Sequence, residues 1–202
     1  MAIELKNSMF IHVPKCGGRT VKTLLQKYVS NVKIIGDVTY DSHATPDTNK
    51  QVFGFIRHPA TFIHSLWTHR GKKKTNTRGH PWNWQTDIRL ERECKSTDYN
   101  EFVKNILKDT NYVWDYYHYY LGKYENVQYG KIEDLTESLI RILKENEEDF
   151  DEDGIRSNMI VIGANDKKKP VGLFSSMDPE QIYKLVTVSE KQLCERFNYH
   201  AL

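Results

Sequence analysis

The sequence predicts an α/β fold in a single domain, with a central parallel sheet flanked by helices. Short apolar runs at 9–13, 32–35 and 52–56 alternate with segments of helical periodicity, an alternation typical of parallel sheets covered by helices. Two of these runs lead into proline-containing turns that precede a predicted helix. The length of 202 residues, with 39% hydrophobic and 28% charged residues, suits one domain over 1–202 with its own core.

The first predicted strand, 9–13, leads through a glycine turn into an amphipathic helix. The apolar residues of this helix recur at i, i+3, i+4, i+7 and i+8, as expected for one stripe that packs on a sheet. They are Val21, Leu24, Leu25, Tyr28 and Val29. Further strands are predicted at 32–35 and 52–56, and Pro59 suits the first turn of the next helix. Ligands of such folds bind at the carboxyl ends of the strands.

The middle of the chain is predicted to be helical. Asp98 and Glu101 form a possible capping box at the start of one helix. The aromatic segment 112–120 could serve as a base-stacking platform, but helical spacing favours core packing. The four tyrosines expected on one buried face are Tyr112, Tyr116, Tyr119 and Tyr120.

The last third of the chain is predicted to contain one strand and two helices. The strand covers 127–129, and the helix after it uses Leu135, Leu139 and Leu143. In the final helix Asp178 is the expected N-cap and Pro179 the first residue, and the helix is predicted to run to about Phe197.

Charge and cysteine content exclude several classes of protein. Twenty-nine Lys and Arg against 27 Asp and Glu give a formal net charge of +2, which is too small for a general nucleic-acid or membrane-surface binder. Cys16, Cys94 and Cys194 lack CxxC spacing, so neither a disulfide framework nor a zinc site is expected. The chain contains no apolar run of 18 residues and no signal-like start. We therefore expect a cytoplasmic protein with no membrane segment and no bound metal.

The segment 14–20 is the first candidate site. It lies between the first strand and the first helix, where backbone N–H groups and the helix dipole face an incoming anion. The candidate ligands of a phosphate or sulfate group are Lys15, Cys16, Gly17, Gly18, Arg19 and Thr20. The lysine precedes the glycine pair, unlike the lysine of a Walker A loop, so ATP with magnesium is not the expected ligand. The alternative is an ordinary glycine turn with two solvated cations.

Arg57 and Ser65 form the second candidate site. Arg57 follows the strand at 52–56, and Ser65 lies in the next predicted helix. A guanidinium and a hydroxyl placed in this way could bind one phosphate group together. Separately, they could be a surface charge and an inert serine.

Together the two segments resemble the sulfotransferases that use 3′-phosphoadenosine 5′-phosphosulfate (PAPS). Members of that family bind the 5′-phosphosulfate with a PKxGGT-like loop and the 3′-phosphate with an RxPxxxxxS pattern. The sequence IHVPKCGGRT at 11–20 resembles the first, and 56–59 with Ser65 resembles the second. Further likeness to the carbohydrate-type branch extends over most of the chain. Arg19 departs from the family pattern, in which a small hydroxyl residue is common.

The resemblance implies sulfuryl transfer to a hydroxyl acceptor, which we expect to be a saccharide. Lys15 would stabilise charge on the bridging oxygen of the leaving group, and His43 would act as general base, with His12 and Glu91 as alternatives. A basic segment before the last helix is expected either to close over the nucleotide or to be a solvated loop. It consists of Lys167, Lys168 and Lys169.

A basic and aromatic segment after the second predicted helix is the candidate acceptor site. Indole rings stack on sugar faces, and cations bind sulfates or carboxylates. The residues expected to take part are Arg70, Lys72, Trp82 and Trp84; the alternative is a solvated loop. Two other functions remain open from the sequence: a nucleotide kinase of the P-loop superfamily, and a nucleic-acid-binding module that uses the basic and aromatic loops. We expect neither nucleic acid nor membrane as a partner.

Overall fold

Contacts between residues divide the chain into two units, each made of two separate stretches. The structure, a computed structural model, describes residues 1–36, 45–71, 84–158 and 177–200. What we call the sheet unit comprises Met1–Arg57 and Tyr120–Lys167, and the helical unit comprises His58–Tyr119 and Lys168–Leu202.

Five strands of the sheet unit form one sheet in the order β3-β1-β2-β4-β5. The strands are β1 (Ala2–Glu4), β2 (Ser8–Ile11), β3 (Lys33–Ile35), β4 (Gln51–Ile56) and β5 (Gln128–Lys131). The helices, in chain order, are α1 (Gly18–Tyr28), α2 (Pro59–Arg70), α3 (Arg89–Glu93), α4 (Tyr99–Ile106), α5 (Tyr112–Leu121), α6 (Leu135–Glu145), α7 (Glu152–Ser157), α8 (Pro179–Lys184) and α9 (Lys191–Phe197).

The sheet is mixed, whereas the sequence predicted a parallel one. β2, β4 and β5 are parallel neighbours, as predicted, but β1 is antiparallel to both β2 and β3. β1 was not predicted at all. The connection from Glu4 to Ser8 is too short for a crossover, and Leu5 N–H donates to the Ser8 carbonyl at 2.9 Å, so the first two strands must form a hairpin. The α/β class is confirmed, and the antiparallel edge corrects the prediction.

The core of the sheet unit contains the apolar stripes predicted for its helices. Val21, Leu24 and Leu25 of α1 are buried, as are Leu139 and Leu143 of α6. Phe10 of β2 packs against two phenylalanines of β4. Its ring centroid is 5.5 Å from that of Phe53 and 6.3 Å from that of Phe55.

The aromatic helix α5 is a core element, as predicted, but its buried face differs by one residue. Tyr119 is 53% exposed, whereas Tyr117 is fully buried. The buried stripe follows i, i+3, i+4, i+7 and i+8 from residue 113, and Tyr119 falls outside it. The stripe consists of Val113, Tyr116, Tyr117, Tyr120 and Leu121. Phe62 of α2 meets Tyr116 and Tyr117 edge to face, at 5.0 and 5.1 Å between centroids.

Two N-caps are confirmed, but the final helix is interrupted. Asp98 accepts from Glu101 N–H, and Asp178 accepts from Glu180 N–H. The predicted capping box is only half formed, because Asp98 N–H donates to Ser96 Oγ and not to Glu101. The predicted continuous helix to Phe197 is instead α8, a π-helical turn over Leu185–Ser189, and α9. The wider turn places the Glu190 side chain in the interior, where it binds the start of α5.

Candidate functional site at the start of α1

The turn between β2 and α1 has an unusual backbone. Lys15 has φ 66° and Gly17, the N-cap of α1, has φ 74°. Glycine adopts this left-handed region freely, but a lysine there is uncommon and costs on the order of 1–3 kcal/mol. Cys16 N–H donates to the Val13 carbonyl at 3.3 Å, which closes the turn. Such strain is concentrated at functional positions, so the Lys15 backbone marks this turn as a candidate site.

The start of α1 offers open hydrogen-bond donors. The first backbone bond of the helix runs from Val21 N–H to the Gly17 carbonyl at 3.1 Å, and Gly17 provides no side-chain cap. Within the described ranges, the N–H groups of Gly18 and Arg19 have no hydrogen-bond partner. The first turn contains no acidic residue. Open N–H groups at the positive end of a helix dipole suit an anion.

Gly18 is in tight contact with His12. A Cβ at residue 18 would lie 1.8 Å from Cδ2 and 2.1 Å from Nε2 of the imidazole. Because no side chain fits there, the sequence at position 18 is restricted to glycine while His12 keeps this position. At Gly17 the nearest atom to a Cβ would be Cδ1 of Ile132, at 3.0 Å. The glycine pair therefore serves two needs, a left-handed turn at residue 17 and close packing at residue 18.

Arg57 connects the two segments singled out in the sequence. It follows β4, the parallel neighbour of β2, so the carboxyl ends of both strands lie at one edge of the sheet. Its Nη1 donates to the Lys15 carbonyl at 3.4 Å. The structure thus brings the backbone of Lys15 and the guanidinium of Arg57 together within the sheet unit.

The other residues of the two segments have different surroundings. Cys16 is buried, and Thr20 is half-buried. Arg19 is exposed, and its guanidinium has no partner in the part of the chain that the structure describes. Ser65 is half-buried in α2 of the helical unit, so its convergence with Arg57 stays a prediction.

Several predicted site residues lie outside the described residues. They are His43, Lys72, Trp82, Lys167, Lys168 and Lys169.

Glu91, an alternative base, is fully buried in the helical unit. Its Oε2 is 3.2 Å from Nε of Arg70 and accepts from Gln85 N–H at 2.7 Å. Burial raises the pKa of the Glu91 carboxyl, and the charge of Arg70 opposes that rise. A buried carboxylate that accepts from a backbone N–H and pairs with a guanidinium is suited to positioning a segment rather than to taking a proton from an acceptor.

Two residues predicted to bind an acceptor, Arg70 and Trp84, are packed within the helical unit. The Arg70 side chain is only 9% exposed and pairs with Glu91. Trp84 is half-buried, with its ring centroid 5.3 Å from that of Phe102. Sequence reasoning missed the Arg70–Glu91 pair because the partners are far apart in the chain and no local pattern joins them. It also missed the packing of His12 on Gly18, although the glycine pair did indicate a close approach.

The described ranges contain no group of three or more His, Cys, Asp and Glu side chains arranged to hold a metal ion. None of the helices in those ranges has both the length and the apolar character needed to cross a bilayer. Comparisons with protein-family models, with curated proteins and with solved structures found no match to this chain.

Proposed function

We propose that this chain is a sulfotransferase that moves a sulfuryl group from PAPS to the hydroxyl group of a saccharide. The observation that carries the proposal is the contact between the Arg57 guanidinium and the Lys15 carbonyl. It joins the two segments whose sequences resemble the 5′-phosphosulfate and 3′-phosphate sites of that family. The three cysteines with no CxxC spacing favour action in a reducing compartment, the cytoplasm.

The residues of the turn fit an anionic sulfate or phosphate group. The open N–H groups of Gly18 and Arg19 and the left-handed Lys15 surround the start of α1. The 5′-phosphosulfate would be held here by 15–20, and the 3′-phosphate by Arg57 with Ser65. Lys167, Lys168 and Lys169 would add charge around the nucleotide.

The chemistry requires a cation and a base from the chain. Bound PAPS supplies the sulfuryl group, whose bond to the phosphate oxygen breaks as a bond to the acceptor oxygen forms. The Lys15 ammonium would stabilise the negative charge that grows on the bridging oxygen. His43 would accept the proton that leaves the acceptor hydroxyl. The products are 3′,5′-bisphosphate adenosine (PAP) and a sulfate ester.

The acceptor would be held by the aromatic and basic segment that follows α2. Trp82 and Trp84 would stack on sugar rings, and Lys72 would bind an anionic substituent. Arg70 would act indirectly, because its guanidinium pairs with Glu91, which in turn holds Gln85 next to Trp84.

Ligand-dependent thermal stability tests the proposal. PAP without magnesium should raise the melting temperature, by an amount equivalent to about 2.7 kcal/mol when PAP is 100-fold above its dissociation constant. Stabilisation by ATP with magnesium alone would support a kinase instead. A steeply salt-dependent affinity for oligonucleotides, without an effect of PAP, would support a nucleic-acid binder. Transfer of labelled sulfate from PAPS to members of a saccharide panel would then identify the acceptor.

A further inference from the structure

His12 is held at a defined place by the sheet. It follows β2, and its backbone N–H donates to the Met1 carbonyl at 3.2 Å. Its ring stacks on Phe10 at 6.3 Å between centroids, with the two planes 26° apart. Phe10 is fully buried and packs against Phe53, so the imidazole stacks on a ring that is itself held in the core. The imidazole is half-buried.

The imidazole lies on the side of α1 from which an anion would approach. In an α-helix each Cα–Cβ bond tilts toward the N-terminus, so the missing Cβ of Gly18 would point to the open end of α1. The ring fills that space, with Nε2 2.1 Å from the position of the absent atom. The ring therefore packs on the first turn of α1, where the N–H groups of Gly18 and Arg19 are open.

The charge of the turn favours the same role. The turn contains the cations Lys15 and Arg19, and Arg57, which follows β4, donates to the Lys15 carbonyl. A neutral imidazole can donate one hydrogen bond from Nε2 when the proton is on that nitrogen. Its donor would add to the two backbone donors without adding charge to a turn that is already cationic.

We propose that His12 is a direct ligand of the bound nucleotide, with its Nε2–H donating to an oxygen of the 5′-phosphosulfate, or of the 5′-phosphate in PAP. The role rests on the proposed function. It differs from that of a base, since His12 would touch the donor and not the acceptor.

Titration calorimetry with PAP in magnesium-free buffer tests this role. His12→Phe keeps a flat ring without a donor and should weaken PAP binding about 10- to 100-fold, the range for a hydrogen bond to a charged group. His12→Gln keeps an N–H donor and should lose less PAP affinity than His12→Phe. His118→Gln, which changes an exposed histidine of α5, is the matched control and should bind as the parent does.

A spectroscopic readout separates ligation from packing. In the ¹⁵N-labelled parent, saturation with PAP should shift the Nε2 resonance of His12, assigned by its loss in His12→Gln, and leave that of His118 in place. A folded His12→Phe with parental affinity would overturn the inference. So would an unmoved Nε2 resonance in a PAP-saturated parent, which decides the matter even if His12→Phe fails to fold. Failure of the parent to bind PAP would instead overturn the proposed function, and this role with it.

Discussion

The imidazole of His12 occupies the space in which a side chain at Gly18 would begin, with Cδ2 1.8 Å from the position of a Cβ. The two residues cannot vary independently. Gly18 lies in ordinary helical backbone, since its φ is not positive, so it is the ring and not the backbone conformation that excludes a larger residue.

Gly18→Ala should therefore destabilise the protein by about 1–3 kcal/mol, the cost of overpacking a well-filled site. The double variant Gly18→Ala/His12→Ala removes the clash and should recover part of that loss, with a coupling of about 0.5–3 kcal/mol. Urea unfolding of the parent, both single variants and the double variant measures this coupling. Additive effects would show that the ring does not restrict residue 18.

Arg57→Ala should weaken PAP binding about 10- to 100-fold, because a charge-assisted hydrogen bond to the 3′-phosphate is lost. Ser65→Ala should have a smaller effect, since its hydroxyl is neutral. Arg141→Ala, which changes an exposed arginine of α6 that pairs with Glu145, serves as the control in calorimetry. If folded Arg57→Ala and Ser65→Ala both bind PAP like the parent, the 3′-phosphate site has been misassigned.

Variants of Lys15 and His43 should differ in their effects on donor affinity and on turnover. His43→Ala should lower turnover about 100-fold or more and leave donor affinity within a factor of about three, because a general base touches only the acceptor. Lys15→Ala should reduce both donor affinity and turnover, because its ammonium meets the phosphosulfate before and during transfer. Steady-state kinetics and PAP calorimetry give the two quantities. Near-parental turnover of His43→Ala would exclude it as the base.

Arg19→Gln should stabilise the free protein and weaken its binding of PAP. An unpartnered cation in the first turn of a helix opposes the dipole, at a cost of about 0.3–1 kcal/mol. Lys27→Gln is the matched control at the other end of α1, where a cation is favourable, and it should destabilise by a similar amount. Both changes in the free energy of unfolding should be smaller at high salt, which screens the interaction of a charge with the helix dipole. An Arg19→Gln protein less stable than the parent at low salt would contradict this prediction.

Glu190 should make stability depend on pH. Burial raises the pKa of its carboxyl from 4.5 to about 8, even though Val113 and Trp114 N–H groups donate to it. Between these values the folded state holds a proton that the unfolded chain has released, so stability falls as pH rises toward 8. The slope is on the order of 1.4 kcal/mol per pH unit.

Glu190→Gln should flatten this dependence, because an amide does not titrate. Glu195→Gln, at an exposed position of α9, should keep the parental slope. Urea unfolding between pH 5.5 and 8.5 compares the three proteins. Parallel curves for parent and Glu190→Gln would assign the pH dependence to other groups.

The sequence pattern correctly predicted the features that depend on residues close together in the chain. The stripe of Val21, Leu24 and Leu25 and the cap at Asp98 were both found, because helical periodicity and capping act within a few residues. β1 was missed because a three-residue strand has too short a pattern to read. Its antiparallel pairing with β2 follows from the short connection between the two strands. The length of that connection is known only when both strands have been identified.

Contacts between side chains that are far apart in the chain could not be predicted from the sequence. Arg70 was predicted to bind an acceptor, but it pairs with Glu91, 21 residues further along the chain. Likewise, Glu190 follows the interruption after α8 and binds the start of α5, a contact that helix propensity does not reveal. The turn at 14–20 was found because its glycines and cations are adjacent, whereas the ring packed on Gly18 needed the structure.

The pairing of β4 with β5 has a consequence for synthesis of the chain. In this parallel pair Phe53 lies opposite Gln128. The edge of β4 that faces β5 therefore has no partner strand while the ribosome makes the intervening residues. An unpaired strand edge invites pairing with other chains, and long-range parallel pairing is slow to form. The nascent chain should therefore be most prone to aggregation in that interval, and chains truncated before β5 should be recovered as aggregates rather than as folded protein.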